Sequence, residues 1–162
     1  MKQDLNNLDS SLESKLSQEE EKRFGELCEM AFNFARHNEV DNLLTMIKAG
    51  LNVNLKTHKG DSLLMLAAYN NSLQTAKMLL ENGARVDELN DKSLSPLSGV
   101  AFKGYEDMAR LLLKYGANPN LKNSMGVTPY GFALMFGRFK MAKILNTKEN
   151  LFSKILKKLF KD

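Results

Sequence analysis

The sequence predicts an all-α solenoid of stacked helix–turn–helix units. Three observations carry this reading. Glycines recur at positions 50, 83 and 116, a period of 33, each followed by a spaced polar pair: Asn52 and Asn54, Arg85 and Asp87, Asn118 and Asn120. Between them lie two apolar segments of helical phase. These are parted at Asn38, Asn71, Gly104 and Gly137, all residues that tolerate left-handed backbone. A fixed period of this length marks a repeat architecture.

Each element follows from that frame. Leu79-Leu80 stands in register with Leu112-Leu113 and with Met46-Ile47, and Ala67-Ala68 with Val100-Ala101 and Phe34-Ala35. Ser62, Ser95 and Thr128 are also 33 apart, as are Pro96 and Pro129. In the second unit, residues 63–70 form a first helix and Asn71 breaks it. Residues 72–81 resume with Leu73, Ala76, Leu79 and Leu80 on one face. The glycine just past each second helix suits a C-terminal cap. Helices of about 8–10 residues are marginal alone, so the units must stack to bury a continuous core.

Composition bounds the rest. The 162 residues make one domain, and 43% hydrophobic with 26% charged residues is globular. The longest apolar run, Leu63 to Ala68, is too short to span a bilayer, and the N-terminus has no signal-peptide stretch. Cys28 is the only cysteine, which excludes an intrachain disulfide framework and favours a reducing, cytoplasmic setting. It lies on an apolar helix phase and reads as core, as do the nine methionines. With two histidines and no nucleophile–base set, no enzyme is expected, and no metal site. The glycines serve turns and form no phosphate-binding loop.

The net charge is +4. Residues 1–23 carry four basic and six acidic side chains, and 148–162 carry five lysines against Glu149 and Asp162. Taken as one block, the middle is close to balanced and shows no basic stripe, so nucleic acid is not an expected partner.

The repeat resembles the ankyrin family, whose units read Gly-x-Thr-Pro-Leu-His-x-Ala-Ala and end Leu-Leu-x-x-Gly-Ala-x-x-Asn. The matching stretches begin Gly60-Asp61-Ser62-Leu63-Leu64-Met65, Ser93-Leu94-Ser95-Pro96-Leu97-Ser98 and Gly126-Val127-Thr128-Pro129-Tyr130-Gly131. The resemblance implies repeats at about 24–56, 57–89, 90–122 and 123–147, after a polar N-terminal extension over 1–23. The histidine of the motif is absent. Phe32, Met65, Ser98 and Gly131 stand there, which predicts a less rigid stack unless Met65 and Phe32 pack instead. The first repeat has Glu29-Met30 in place of Thr-Pro, as suits a terminal, capping unit.

Both ends carry signals. Ser17 and Glu20 fit a capping box, which predicts a helix from about Gln18 to Arg36, with Gly25 weakening its middle. Leu5, Leu8, Leu12 and Leu16 suggest a weak amphipathic helix or a frayed end. Residues 148–162 read as a C-terminal basic amphipathic helix. Leu151, Phe152, Ile155, Leu156, Leu159 and Phe160 share one half of its wheel, and lysines share the other. It would cap the last repeat, leaving Phe139 and Met141 bare without it, or lie on an anionic membrane surface, or bind a partner.

The resemblance implies a non-catalytic protein–protein interaction module, with the partner on a concave face of loop tips and exposed first-helix residues. By register those are His58, Lys59, Asp61 and Tyr69 in repeat two, and Asp91, Lys92, Leu94, Phe102 and Lys103 in repeat three. Repeat four supplies Met125, Val127, Met135 and Phe136. Leu94, Phe102 and Tyr69 are the leading anchors. Met135 and Phe136 could instead be buried by the C-terminal helix or by inward tilt. The chain is expected to be a monomer, with another protein as partner and no bound cofactor. One alternative is suggested by small bacterial ankyrin proteins associated with catalase maturation and haem supply, with His37, His58 or a tyrosine as a transient haem ligand. The other is a membrane-associated adaptor using residues 151–160.

Overall fold

The computed structural model describes residues 2–146, with side chains at Lys15 and from residue 17 onward. The expected C-terminal helix over 148–162 lies outside the described residues. Eight helices run in order: α1 (Lys2–Arg36), α2 (Val40–Lys48), α3 (Leu63–Tyr69), α4 (Leu73–Glu81), α5 (Pro96–Lys103), α6 (Glu106–Lys114), α7 (Pro129–Met135) and α8 (Phe139–Leu145). The first helices of the units, α1, α3, α5 and α7, pack side by side in one row, and α2, α4, α6 and α8 form a second row behind it. Among the described residues there is no strand, only an antiparallel bridge between Lys56 and Ser62.

The starts of the first helices are chemically encoded. The hydroxyls of Ser62, Ser95 and Thr128 accept the N–H groups of Met65, Ser98 and Gly131 at 3.1, 3.2 and 3.1 Å. Each satisfies one of the four N–H donors a helix N-terminus leaves unpaired. Pro96 and Pro129 follow in the first turn, where a missing N–H costs nothing. Repeat one has Glu29-Met30 in this register and so lacks both devices. Nothing stops its helix there, and α1 runs back without interruption to Lys2. The expected start near Gln18 is therefore incorrect. Ser17 sits inside α1 rather than capping it, and the helix has no break at residue 23 or at Gly25.

The turns match the sequence reading. Asn38, Asn71, Gly104 and Gly137 have φ of 60°, 58°, 84° and 66°. Asn38 does more than turn. Its Oδ1 accepts from the Thr75 N–H (3.0 Å) and hydroxyl (3.2 Å), which ties repeat one to the start of α4.

The core is a single ladder along the stack. Leu43, Leu63, Leu64, Leu79, Leu97, Met108, Leu112, Met141 and Leu145 are each 2% exposed or less. Ala67, Ala68, Ala101 and Ala133 let the first helices approach closely. Where the motif histidine is missing, Met65 and Phe32 pack into the core, and Ser98 meets the Ser95 hydroxyl at 3.1 Å. Met141 is 1% exposed, and its register equivalents Thr75 and Met108 are fully buried. Phe139 is 68% exposed. At the open end of the described stack, Tyr130 and Leu134 are exposed where their equivalents Leu97 and Ala101 are covered by the next unit.

The polar pairs after each glycine join neighbouring units. The Asn54 side-chain oxygen accepts the Arg85 N–H (2.9 Å), and the Asp87 carboxylate accepts the Asn118 N–H at 3.0 and 3.1 Å. Beside them Lys56 pairs with Glu88, which Arg85 also reaches. The Lys56 ammonium, and then Arg85, hold the Glu88 carboxyl below its ordinary range against the opposing effect of burial. A depressed carboxylate stabilises the fold above its unfolded pKa, and that contribution is lost as pH falls through the lower, folded value. Glu88→Gln should therefore cost up to about 1 kcal/mol at neutral pH and nothing in strong acid, as read by urea midpoints across a pH series. An equal cost at both pH values would refute the electrostatic role.

Candidate functional site

A concave groove of about 460 Å³ opens between repeats two and three, lined from α3, α5 and the loops that precede them. The loops are folded by their own side chains. Thr57, Asn90 and Asn123 recur in register. Asn90 Oδ1 accepts the N–H groups of Lys92 and Leu94, each at 3.0 Å, and Asn123 does the same for Met125 and Val127. Adjacent loops are then tied together. Asn90 donates to Asp61 Oδ1 at 2.7 Å, and the Asp91 N–H donates to the Lys59 carbonyl at 3.2 Å. The approach is close enough that a Cβ at Gly60 (φ 75°) would collide with Asp91. The rim is thus set before any partner arrives.

Ser93 marks a cost in this design. Its φ of 55° lies where Gly60 and Gly126 hold the same register. Ser93→Gly should relieve that strain and raise stability by about 0.5 kcal/mol, the steric gain exceeding the extra unfolded-state entropy of glycine. Thermal unfolding checks this, and a fall in midpoint would refute it.

Tyr69 dominates the wall of the groove. Tyr69 is 40% exposed, and the Lys103 ammonium sits 4.5 Å from its ring centroid, a cation–π contact. Gly99 makes room for it, since a Cβ there would stand 3.1 Å from the Tyr69 ring. Further along the same row, Phe102 meets Phe136 edge-on at 4.5 Å, and Phe136 stacks on Phe132 at 6.5 Å.

Of the residues expected on the concave face, Lys59, Asp61, Tyr69, Asp91, Lys92 and Leu94 line the groove together. Lys103 joins them through the Tyr69 ring. Phe102 is half-buried under Phe136, while Met125, Met135 and Phe136 are exposed beyond the groove. Inward tilt therefore does not bury Met135 or Phe136. Val127 is half-buried, and His58 is exposed at its loop without lining the groove. His37 turns Nδ1 onto the Asn33 carbonyl (2.8 Å) at the end of α1. Met65, Leu66, Asn90 and Gly99 also line the groove, and the register argument had not selected them. The available signal was Gly99, a small residue where the equivalent positions hold Leu66 and Phe132.

The arrangement offers an apolar floor and a charged rim, with no paired acid and base. Among the described residues, no group of three or more His, Cys, Asp or Glu side chains could hold a metal ion. Burial, and then the Glu29 carboxylate, push the half-buried Cys28 thiol above its usual range, so the nucleophilic thiolate is suppressed at neutral pH.

A family model described as ankyrin repeats, in three copies, matches residues 27–123 and 64–154. The chain belongs to the ankyrin-repeat family. An ankyrin repeat protein of Pseudomonas aeruginosa is 40% identical over 53 residues, which cover 33% of this chain and 31% of that protein. The ankyrin chain thus matches about a third of that relative's length. The ankyrin scaffold is typically a protein–protein interaction module, and Tyr69, Phe102 and Met135 stand in register, one per repeat, near the ends of the first helices α3, α5 and α7.

Proposed function

We propose that this ankyrin-repeat protein is a non-catalytic binding module whose protein partner places an apolar side chain in the groove between α3 and α5. The observation that supports this best is the exposed Tyr69 ring, pinned between Gly99 and the Lys103 ammonium above an apolar floor. Folding gains nothing from leaving such a ring in water. Binding gains from a ring already ordered. Tyrosines in this position are typical interface anchors, and a rim of fixed charge excludes water around them. The groove volume lies in the range of small-ligand sites, so a short extended segment fits it.

The test begins with a displayed peptide library panned on the full chain. Enriched peptides should lose at least about tenfold in affinity for the Tyr69→Ala/Leu94→Ala variant, which removes two anchors. Circular dichroism of that variant should be unchanged, because Tyr69 is exposed and Leu94 only half-buried. Peptides that bind wild type and variant equally would place the interaction elsewhere.

A further inference from the structure

Counted along the chain, charge is sharply divided. Residues 1–102 hold eleven basic and fifteen acidic side chains, and residues 103–162 hold twelve basic and four acidic. Taking the middle as one block hides this gradient. Within the described stack it is also spatial, because residues 103–146 of the last two repeats hold seven basic and two acidic side chains. The five ion pairs among side chains described here, at Arg23–Glu19, Lys22–Glu26, Lys56–Glu88, Lys77–Glu81 and Arg85–Glu88, all fall in the acidic part.

On the back of repeats three and four, away from the concave groove, α6 and α8 enclose an open depression of about 660 Å³. Arg110, Lys114, Lys140 and Lys143 line it against the single carboxylate of Glu106. Among the described residues none of these four cations is ion-paired. An adjoining depression shares Glu106 and Lys140 and includes Phe139, which is 68% exposed. The sequence that follows α8 repeats the same chemistry. Its lysines at 148, 154, 157, 158 and 161 are interleaved with Leu151, Phe152, Ile155, Leu156, Leu159 and Phe160.

We infer that this basic back face of repeats three and four docks on an anionic phospholipid surface, with Phe139 entering the interface. Unpaired cations on a shared face call for an anionic partner. The choice of lipid rests on the apolar component. An exposed ring between Arg138 and Lys140, continued by apolar residues at helical spacing among more lysines, suits a boundary between headgroups and acyl chains. Phosphate-backbone binding has no use for it. No helix among the described residues is long and apolar enough to cross a membrane, so the association is peripheral. The concave groove faces the other way and stays free for its own ligand.

The experiment is sedimentation of the full chain with vesicles of phosphatidylcholine containing about one third phosphatidylglycerol. The chain should pellet with these at low salt, stay in solution with pure phosphatidylcholine, and release at about 0.5 M salt, where screening shortens to a few ångströms. Each basic residue near such a surface is worth about fivefold in partitioning, so Lys140→Glu/Lys143→Glu should weaken binding at least about 25-fold. Phe139→Ser should weaken it about tenfold. All three sites are exposed, and unchanged circular dichroism should accompany both variants. Absence of pelleting with anionic vesicles would overturn the inference. So would undiminished binding by the lysine variant, which would assign the effect to residues 148–162 alone. Binding to a double-stranded oligonucleotide without binding to vesicles would overturn it too and assign the face to nucleic acid.

Discussion

Truncating Leu97 to alanine is expected to lower the free energy of unfolding by about 3 kcal/mol. Leu97 is fully buried in the first turn of α5, the helix that packs on both α3 and α7. Its removal leaves a cavity in the middle of the stack, where the neighbouring helices are fixed from both sides. In a one-dimensional repeat array, interfaces between neighbours carry the cooperativity. The same change should therefore broaden the transition, as repeats one and two lose their coupling to three and four. Leu134→Ala provides the control. It is the register equivalent of buried Ala101 in the last described repeat, 44% exposed, and should cost under about 1 kcal/mol. Urea unfolding followed by circular dichroism measures both. Equal costs at the two sites would mean that the last described repeat is as well covered as the centre.

Replacing Gly99 with leucine is expected to remove binding at the concave groove while leaving the fold intact. Gly99 lies in the interior of α5, and there leucine gains nearly 1 kcal/mol of helix propensity over glycine. The equivalent positions already hold Leu66 and Phe132, so the scaffold accepts bulk there. A Cβ would nevertheless meet the Tyr69 ring at 3.1 Å, and the rest of the side chain would occupy the groove. Peptides selected on the wild type should bind at least about tenfold more weakly, with the unfolding midpoint in urea shifted by less than about 1 kcal/mol equivalent. Unchanged affinity with Tyr69 displaced would exclude the groove as the binding site.

These two expectations draw on different levels of information. Leu97 could be chosen from the sequence, because it stands at a fixed place in a unit whose period is legible. Gly99 could not. A glycine inside a helix reads as a local weakness until the ring that uses its space is seen across the repeat boundary. The same contrast holds at the N-terminus. Ser17 with Glu20 has the local form of a helix start, yet α1 passes through it. A capping box competes with helix continuation by only about 1 kcal/mol, and here the helix continues.

The sequence by itself determined the all-α repeat architecture, the period and the positions of the turns. All of these are set by contacts within one unit: the apolar phase of each helix, the left-handed turn residues and the glycine caps. Only the tertiary structure decided which of those residues share a groove, because Tyr69 and Gly99 belong to different units. It also decided that Met141 is buried while Phe139 is exposed, and that the cations of α6 and α8 gather on one face. Those facts depend on how one unit is laid against the next, and a one-dimensional pattern records the spacing of side chains but not the surface that two neighbouring helices make together.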